Sequence, residues 1–129
     1  MFANIKTAKA NKELVTKLTN KLNLGAENII ARIALTHSIA LDRKMDLNYI
    51  KDSGGKEYSH KVLFGENADY YIALICVHYN LYKTDKDLPK YVKMHIDDGL
   101  ELLENDFTNT LGIDSLISSI DRGLQAIHD

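Results

Sequence analysis

The chain has 129 residues, enough for one domain around one hydrophobic core. Apolar residues make up 45% and charged residues 26%, an ordinary globular balance, and no apolar run approaches the roughly 18 residues of a membrane span. The net charge of −2 conceals a polarised chain: Met1 to Lys44 carries eight basic residues against three acidic, whereas His95 to Asp129 carries eight acidic residues against Arg122 alone. A phosphate-rich partner would be drawn to the first part and repelled by the last.

The opening MFANIKTAKANKE lacks the apolar stretch of a secretory signal, and a lone cysteine cannot form an internal disulfide. One domain spanning 1–129 in the cytoplasm is therefore expected. From Phe2 to Lys9, Ile5 and Thr7 alternate with Asn4 and Lys6, which suits a brief strand or an extended arm. The spacing of Leu14, Leu18 and Leu22 predicts a helix over Asn11–Leu22, capped by Asn11 and ended by Gly25 in a left-handed conformation. Lys12, Lys17 and Lys21 fall off that stripe and should face water. A second helix is predicted over Ala26–Leu41, with Ile29, Ile30, Ile33, Ala34, His37 and Leu41 inward and Arg32 reaching solvent.

Asp42 to Gly65 shows no usable period and is left unassigned between a functional loop and a short helix. Further helices are predicted over Asn67–Tyr82, Asp87–Asn105 and Asp114–Ile127, with Pro89 suited to a first turn. Five helices and at most one short N-terminal strand place the chain in the all-α class.

Chemistry-bearing motifs are scarce. Gly54-Gly55-Lys56 is only a fragment of a phosphate loop, with no preceding strand or following helix cap, and reads as a surface turn, with a basic loop touching a phosphate as the alternative. The histidines His37, His60, His78, His95 and His128 match no zinc spacing. His95 and Asp98 are three apart, and the simplest reading is a packed histidine hydrogen-bonded to an acid. Asp97 and Glu101 share a helix face and could hold Mg²⁺, although charged faces are usually only solvated. Cys76 sits in an apolar pattern, so a buried inert thiol is expected. The tyrosines Tyr70, Tyr71, Tyr79 and Tyr82 read as core packing, with stacking on exposed bases as the alternative. No nucleophile–base pattern emerges, so no enzyme activity, metal or cofactor is expected.

The opening IKTAKANKELVTKLTNKLNLGAENIIARIALTHSIAL, the central GKEYSHKVLFGENADYYIALI and the later HIDDGLELL together resemble the DndE family of DNA phosphorothioation proteins. The resemblance covers most of the chain. It implies a small helical, oligomeric, non-catalytic protein, a tetramer by preference, that binds duplex DNA and favours nicks. Desulfurase and nucleotide-consuming steps would belong to other proteins of the modification complex. It raises Lys6, Lys9, Lys12, Lys17, Lys21 and Arg32 as DNA-binding candidates, and Leu24 and Gly25 as a candidate oligomer contact.

Two rivals use the same residues differently. In a ribbon-helix-helix repressor, the arms of two subunits would pair, Asn4 and Lys6 would reach base edges, and the start of the second helix would hold a phosphate. In a protein-interaction adaptor, the acidic C-terminal third would dock on a basic partner with no DNA contact. A metal-dependent nuclease using Asp97 and Glu101 is a third, weaker rival.

Overall fold

Apolar spacing becomes helix at four of the five expected places in the computed structural model, which describes residues 4–109 and Ile120. The helices are α1 (Lys12–Lys21), α2 (Glu27–Ala40), α3 (His60–Phe64), α4 (Ala68–Tyr79) and α5 (Leu88–Asn109). Two short strands, β1 (Ile5–Lys6) and β2 (Glu57–Tyr58), pair antiparallel with Ile5 opposite Tyr58. The all-α expectation holds. The helix expected over Asp114–Ile127 lies outside the described residues apart from Ile120, which packs against the core.

The core is built on α2 and α5, which run against each other along most of their length. Close approach is set by small residues: Ala31 and Ala34 are fully buried, and a Cβ added at Gly99 would run into the Ala34 backbone. Ile30 and Leu35 from α2 meet Val92, Ile96, Leu100 and Leu103 from α5. Helix α1 adds Leu14, Val15 and Leu18 on one flank, while α4 adds Ile72 and Ile75 on another. Leu63 and Phe64 of α3 complete it, with Phe64 stacked on Tyr71 at 5.0 Å.

Several local expectations are corrected. The buried face of α2 is Ile30, Ala31, Ala34, Leu35 and Ser38, whereas Ile29, Ile33 and His37 are half-buried and Leu41 is exposed. An apolar helix this uniform does not reveal its inner face by period alone. Asn11 stands at the N-cap of α1, yet its side chain makes no cap bond and donates to Asp97 instead. Gly25 is left-handed as expected (φ 82°), but the left-handed residue that closes α1 is Asn23 (φ 54°), two positions earlier. Asn23 N–H donates to Asn20 and Leu24 N–H to Thr19, a Schellman closure in which Leu24 folds back on the core. The unassigned 42–65 segment contains β2 and α3, both too short for a period to show.

Candidate nucleic-acid interface

Strand alternation turns Ile5 inward and Lys6 outward, and the arm is then locked residue by residue. Thr7 N–H donates to Lys56 O (2.8 Å), and Thr7 O accepts from Gly55 N–H (2.9 Å). The Thr7 hydroxyl accepts from Lys56 N–H (2.9 Å). Ala8 N–H donates to both oxygens of Asp97 (3.0 and 3.2 Å). Lys9 N–H donates to Asp52 Oδ2 (2.9 Å), which also accepts from Gly54 N–H (3.0 Å). Those amide donors hold the Asp52 carboxyl below its ordinary range. Asp97 is the anchor: it is buried, receives Asn11 Nδ2 at 2.9 Å, and is neutralised by buried Lys93 at 2.9 Å. Lys93 also donates to Asp52 O (2.8 Å), which ties the loop to the same ion pair.

On this frame Lys6, Lys9, Lys12, Lys17 and Lys21 are all exposed. At about 100° per residue, Lys17 and Lys21 project side by side on α1, with Lys12 roughly 140° away from Lys17. The lysines thus form two groups: Lys6, Lys9 and Lys12 at the arm and helix start, and Lys17 with Lys21 at the helix end. Lys21 Nζ lies 4.4 Å above the Phe107 ring. Among the described residues none of the five forms an ion pair.

Arg32 behaves differently. It is half-buried, with Nε donating to Leu63 O (2.5 Å) and a terminal nitrogen to Val62 O (3.3 Å). It closes the C-terminal end of α3, where helical carbonyls lack partners. Leu24 is half-buried in the helix closure, while Gly25 (φ 82°) is exposed with open space around it.

Three carboxylates of α5, Asp98, Glu101 and Asp106, are answered from earlier elements. Arg43 grips Asp98 through two nitrogens (2.7 and 2.9 Å), a pairing that raises the guanidinium pKa. Lys51 pairs with Glu101, and His37 lies 3.4 Å from Asp106. Asp97 and Glu101 are therefore both engaged, and no group of three metal-capable side chains occurs among the described residues.

Packing accounts for His95, Tyr71 and Tyr79, whereas Tyr70 and Tyr82 depart from the core packing expected of them. His95 is fully buried between Ser38 (2.8 Å) and Tyr79 (2.5 Å), and Ser38 donates onward to Asp98 (2.7 Å). The expected histidine–acid contact is thus made through a serine, and the serine hydroxyl is already committed. Cys76 is half-buried rather than buried, and desolvation raises its thiol pKa, which keeps it protonated. Tyr79 stacks on Tyr91 at 4.0 Å, while Tyr70 and Tyr82 are exposed.

Sequence reasoning missed the arm lock. Asp52, Gly55 and Thr7 meet across about 45 residues of chain, and the only signal was the turn-like Asp52-Ser53-Gly54-Gly55. The ribbon-helix-helix reading loses its two distinctive contacts. The arm is already paired within the chain, and the start of α2 presents Glu27, bonded to Lys56 (3.1 Å) and Thr16 (3.4 Å), where a phosphate would sit.

No curated protein matches the chain. It is similar to a solved structure from Escherichia coli B7A, described as DndE involved in DNA phosphorothioation modification. The two share 19% identity and a TM-score of 0.63 over 80% of this chain and 98% of the other. The family model described as DNA sulphur modification protein DndE matches residues 4–110. With most of its length matched by that model, the chain belongs to the DndE family of DNA sulphur modification proteins.

Proposed function

We propose that this protein is a non-catalytic, cytoplasmic DNA-binding component of the sulphur modification machinery, gripping duplex DNA, preferentially nicked, through Lys6, Lys9, Lys12, Lys17 and Lys21. The observation that carries the reading is electrostatic: these five ammonium groups are exposed and, among the described residues, without carboxylate partners, while Asp97, Asp98 and Glu101 of α5 are engaged by Lys93, Arg43 and Lys51. Lysines act on phosphates as point charges and impose no sequence preference. Arg32 contributes by holding α3 in place. The other proteins of the modification complex would perform the chemistry. Self-association, a tetramer by preference with the exposed Gly25 and neighbouring Leu24 as one contact, would multiply a patch too small for tight binding alone.

A gel-shift titration tests this with intact, nicked and single-stranded DNA at 50 and 200 mM salt. Five phosphate contacts per chain predict a log–log salt slope of about −4.5, equivalent to roughly 500-fold weaker binding over that range. Lys17→Glu with Lys21→Glu should reduce the slope by about 2 and leave the melting temperature within a few degrees. Unchanged affinity in that double variant would transfer the protein to the adaptor reading.

A further inference from the structure

The loop between α2 and β2 carries an unpartnered aromatic ring and is nevertheless fastened down. It is bonded to α5 at both ends: Arg43 to Asp98 through two nitrogens (2.7 and 2.9 Å), and Lys51 to Glu101. Met45 N–H donates to the Tyr79 hydroxyl (2.8 Å), and Asp46 caps the short turn Leu47–Tyr49 by accepting Asn48 N–H (2.9 Å). At that turn Tyr49 is 78% exposed. Among the described residues its ring meets no other ring and its hydroxyl makes no hydrogen bond. Tyr49 borders a cleft of about 370 Å³ between the loop and α5, and Met45 and Met94 supply the apolar part of the lining. A cleft at the small end of ordinary ligand sites, edged by an aromatic ring and two adaptable thioethers, suits one flat ring.

The charges decide which part of a nucleic acid fits there. Lys44, Asp46, Lys51, Asp97, Asp98 and Glu101 all line the cleft. Asp97 is engaged by Lys93, Asp98 by Arg43 and Glu101 by Lys51, while Lys44 is held by Asp42 (3.7 Å) and His78 O (2.6 Å). Asp46 has no basic partner among the described residues. Four carboxylates against two committed ammonium groups turn a phosphate away and leave an uncharged ring unopposed. Phosphates are met next door. Asp52, three residues from Tyr49, accepts Lys9 N–H (2.9 Å), and Lys6 and Lys12 stand exposed on either side of Lys9. Three residues of chain span about 10 Å at most. We propose that this cleft is a nucleobase site, where Tyr49 stacks on a base freed at a break in one strand while Lys6, Lys9 and Lys12 hold the adjoining phosphates. The inference rests on the DNA-binding reading and adds to it the residue that recognises the break. Lysines meet phosphates alike on whole and broken duplex, whereas only a break frees a base face for stacking. Because the loop is already fixed, binding need not order it.

Titration of the full chain with intact and nicked duplexes of one sequence tests the proposal. Tyr49→Ala should weaken binding to the nicked duplex about tenfold or more, the scale of one lost base–aromatic stack, and leave binding to the intact duplex as it was. Unchanged circular dichroism and melting would show that this surface variant still folds. Tyr49→Phe should restore the preference, because stacking uses the ring and not the hydroxyl. A 5-iodouracil placed at the nick should photocrosslink to Tyr49, located by peptide mass. Lys17→Glu with Lys21→Glu should instead weaken binding to both duplexes alike. A nick preference that survives Tyr49→Ala, or a crosslink that maps elsewhere, would overturn the base site and leave the lysine reading standing. Equal losses on both duplexes would make Tyr49 a general contact and overturn it as well. A chain that binds no DNA in any form would end both readings together.

Discussion

At the scale of single residues, the hydrogen bonds around His95 have only one consistent direction. The Asp98 carboxylate can only accept, so the Ser38 hydroxyl donates to it and must accept from His95 Nδ1–H. Nε2 then accepts from the Tyr79 hydroxyl, whose oxygen accepts Met45 N–H at 2.8 Å. This direction suits a neutral ring with its proton on Nδ1. Burial, followed by the neighbouring His78, lowers the His95 pKa to about 4. The folded pKa thus lies below the ordinary 6.5, so the stabilisation is complete above pH 6.5 and is lost as pH falls toward 4. The full effect is about 3 kcal/mol. Urea unfolding of wild type at pH 7.5 and pH 5 should show this decline, and His95→Gln, which cannot titrate, should flatten it. In the sequence, His95 and Asp98 were visible as a packed histidine near an acid. Ser38 could not be foreseen because it lies on another helix, 57 residues from His95.

At the scale of elements, legibility followed amphipathicity. Helices α1 and α5 have polar outer faces, so their stripes of Leu14 and Leu18, and of Val92, Ile96, Leu100 and Leu103, identified the buried side directly. Helix α2 is apolar nearly all round, so its existence was legible but its orientation was not; on α4 the side carrying Ala68, Ile72, Ile75 and Tyr79 was legible, and only Tyr82 departs from it. Gly99 carried no periodic signal, yet it decides how closely the two central helices approach. Gly99→Ala forces its methyl into the Ala34 backbone, which cannot yield as a flexible side chain would. A loss of about 3 kcal/mol is expected, against a slight gain for alanine in an open helix. Chemical denaturation of the variant measures it directly. A near-neutral result would mean that α2 and α5 can separate without loss of packing.

At the scale of the whole molecule, the charge imbalance read from the sequence survives folding in an altered form. Asp97, Asp98 and Glu101 of α5 are paired with Lys93, Arg43 and Lys51, so among the described residues these acids leave the lysines at the start of the chain unneutralised. One acid was misjudged: Asp97 looked like part of a solvated face and is instead the buried anchor of the arm. Removing it strands Lys93 in the interior, so Asp97→Ala should lower stability by about 3–5 kcal/mol. Hydrogen exchange at the Ala8 amide should accelerate beyond the general effect, because its acceptor is gone. Equal acceleration throughout the protein would mean the arm holds without Asp97.

The arm closes onto residues very distant in the chain, Ile5 against Tyr58 and Ala8 against Asp97. Contacts of such separation form late, and a chain leaving the ribosome makes its first residues long before its last. The cationic start therefore emerges first yet takes its final shape last, once residue 97 has cleared the exit tunnel. Unfinished polypeptides would carry the lysines on a loose tether, and only completed molecules would display them in fixed register.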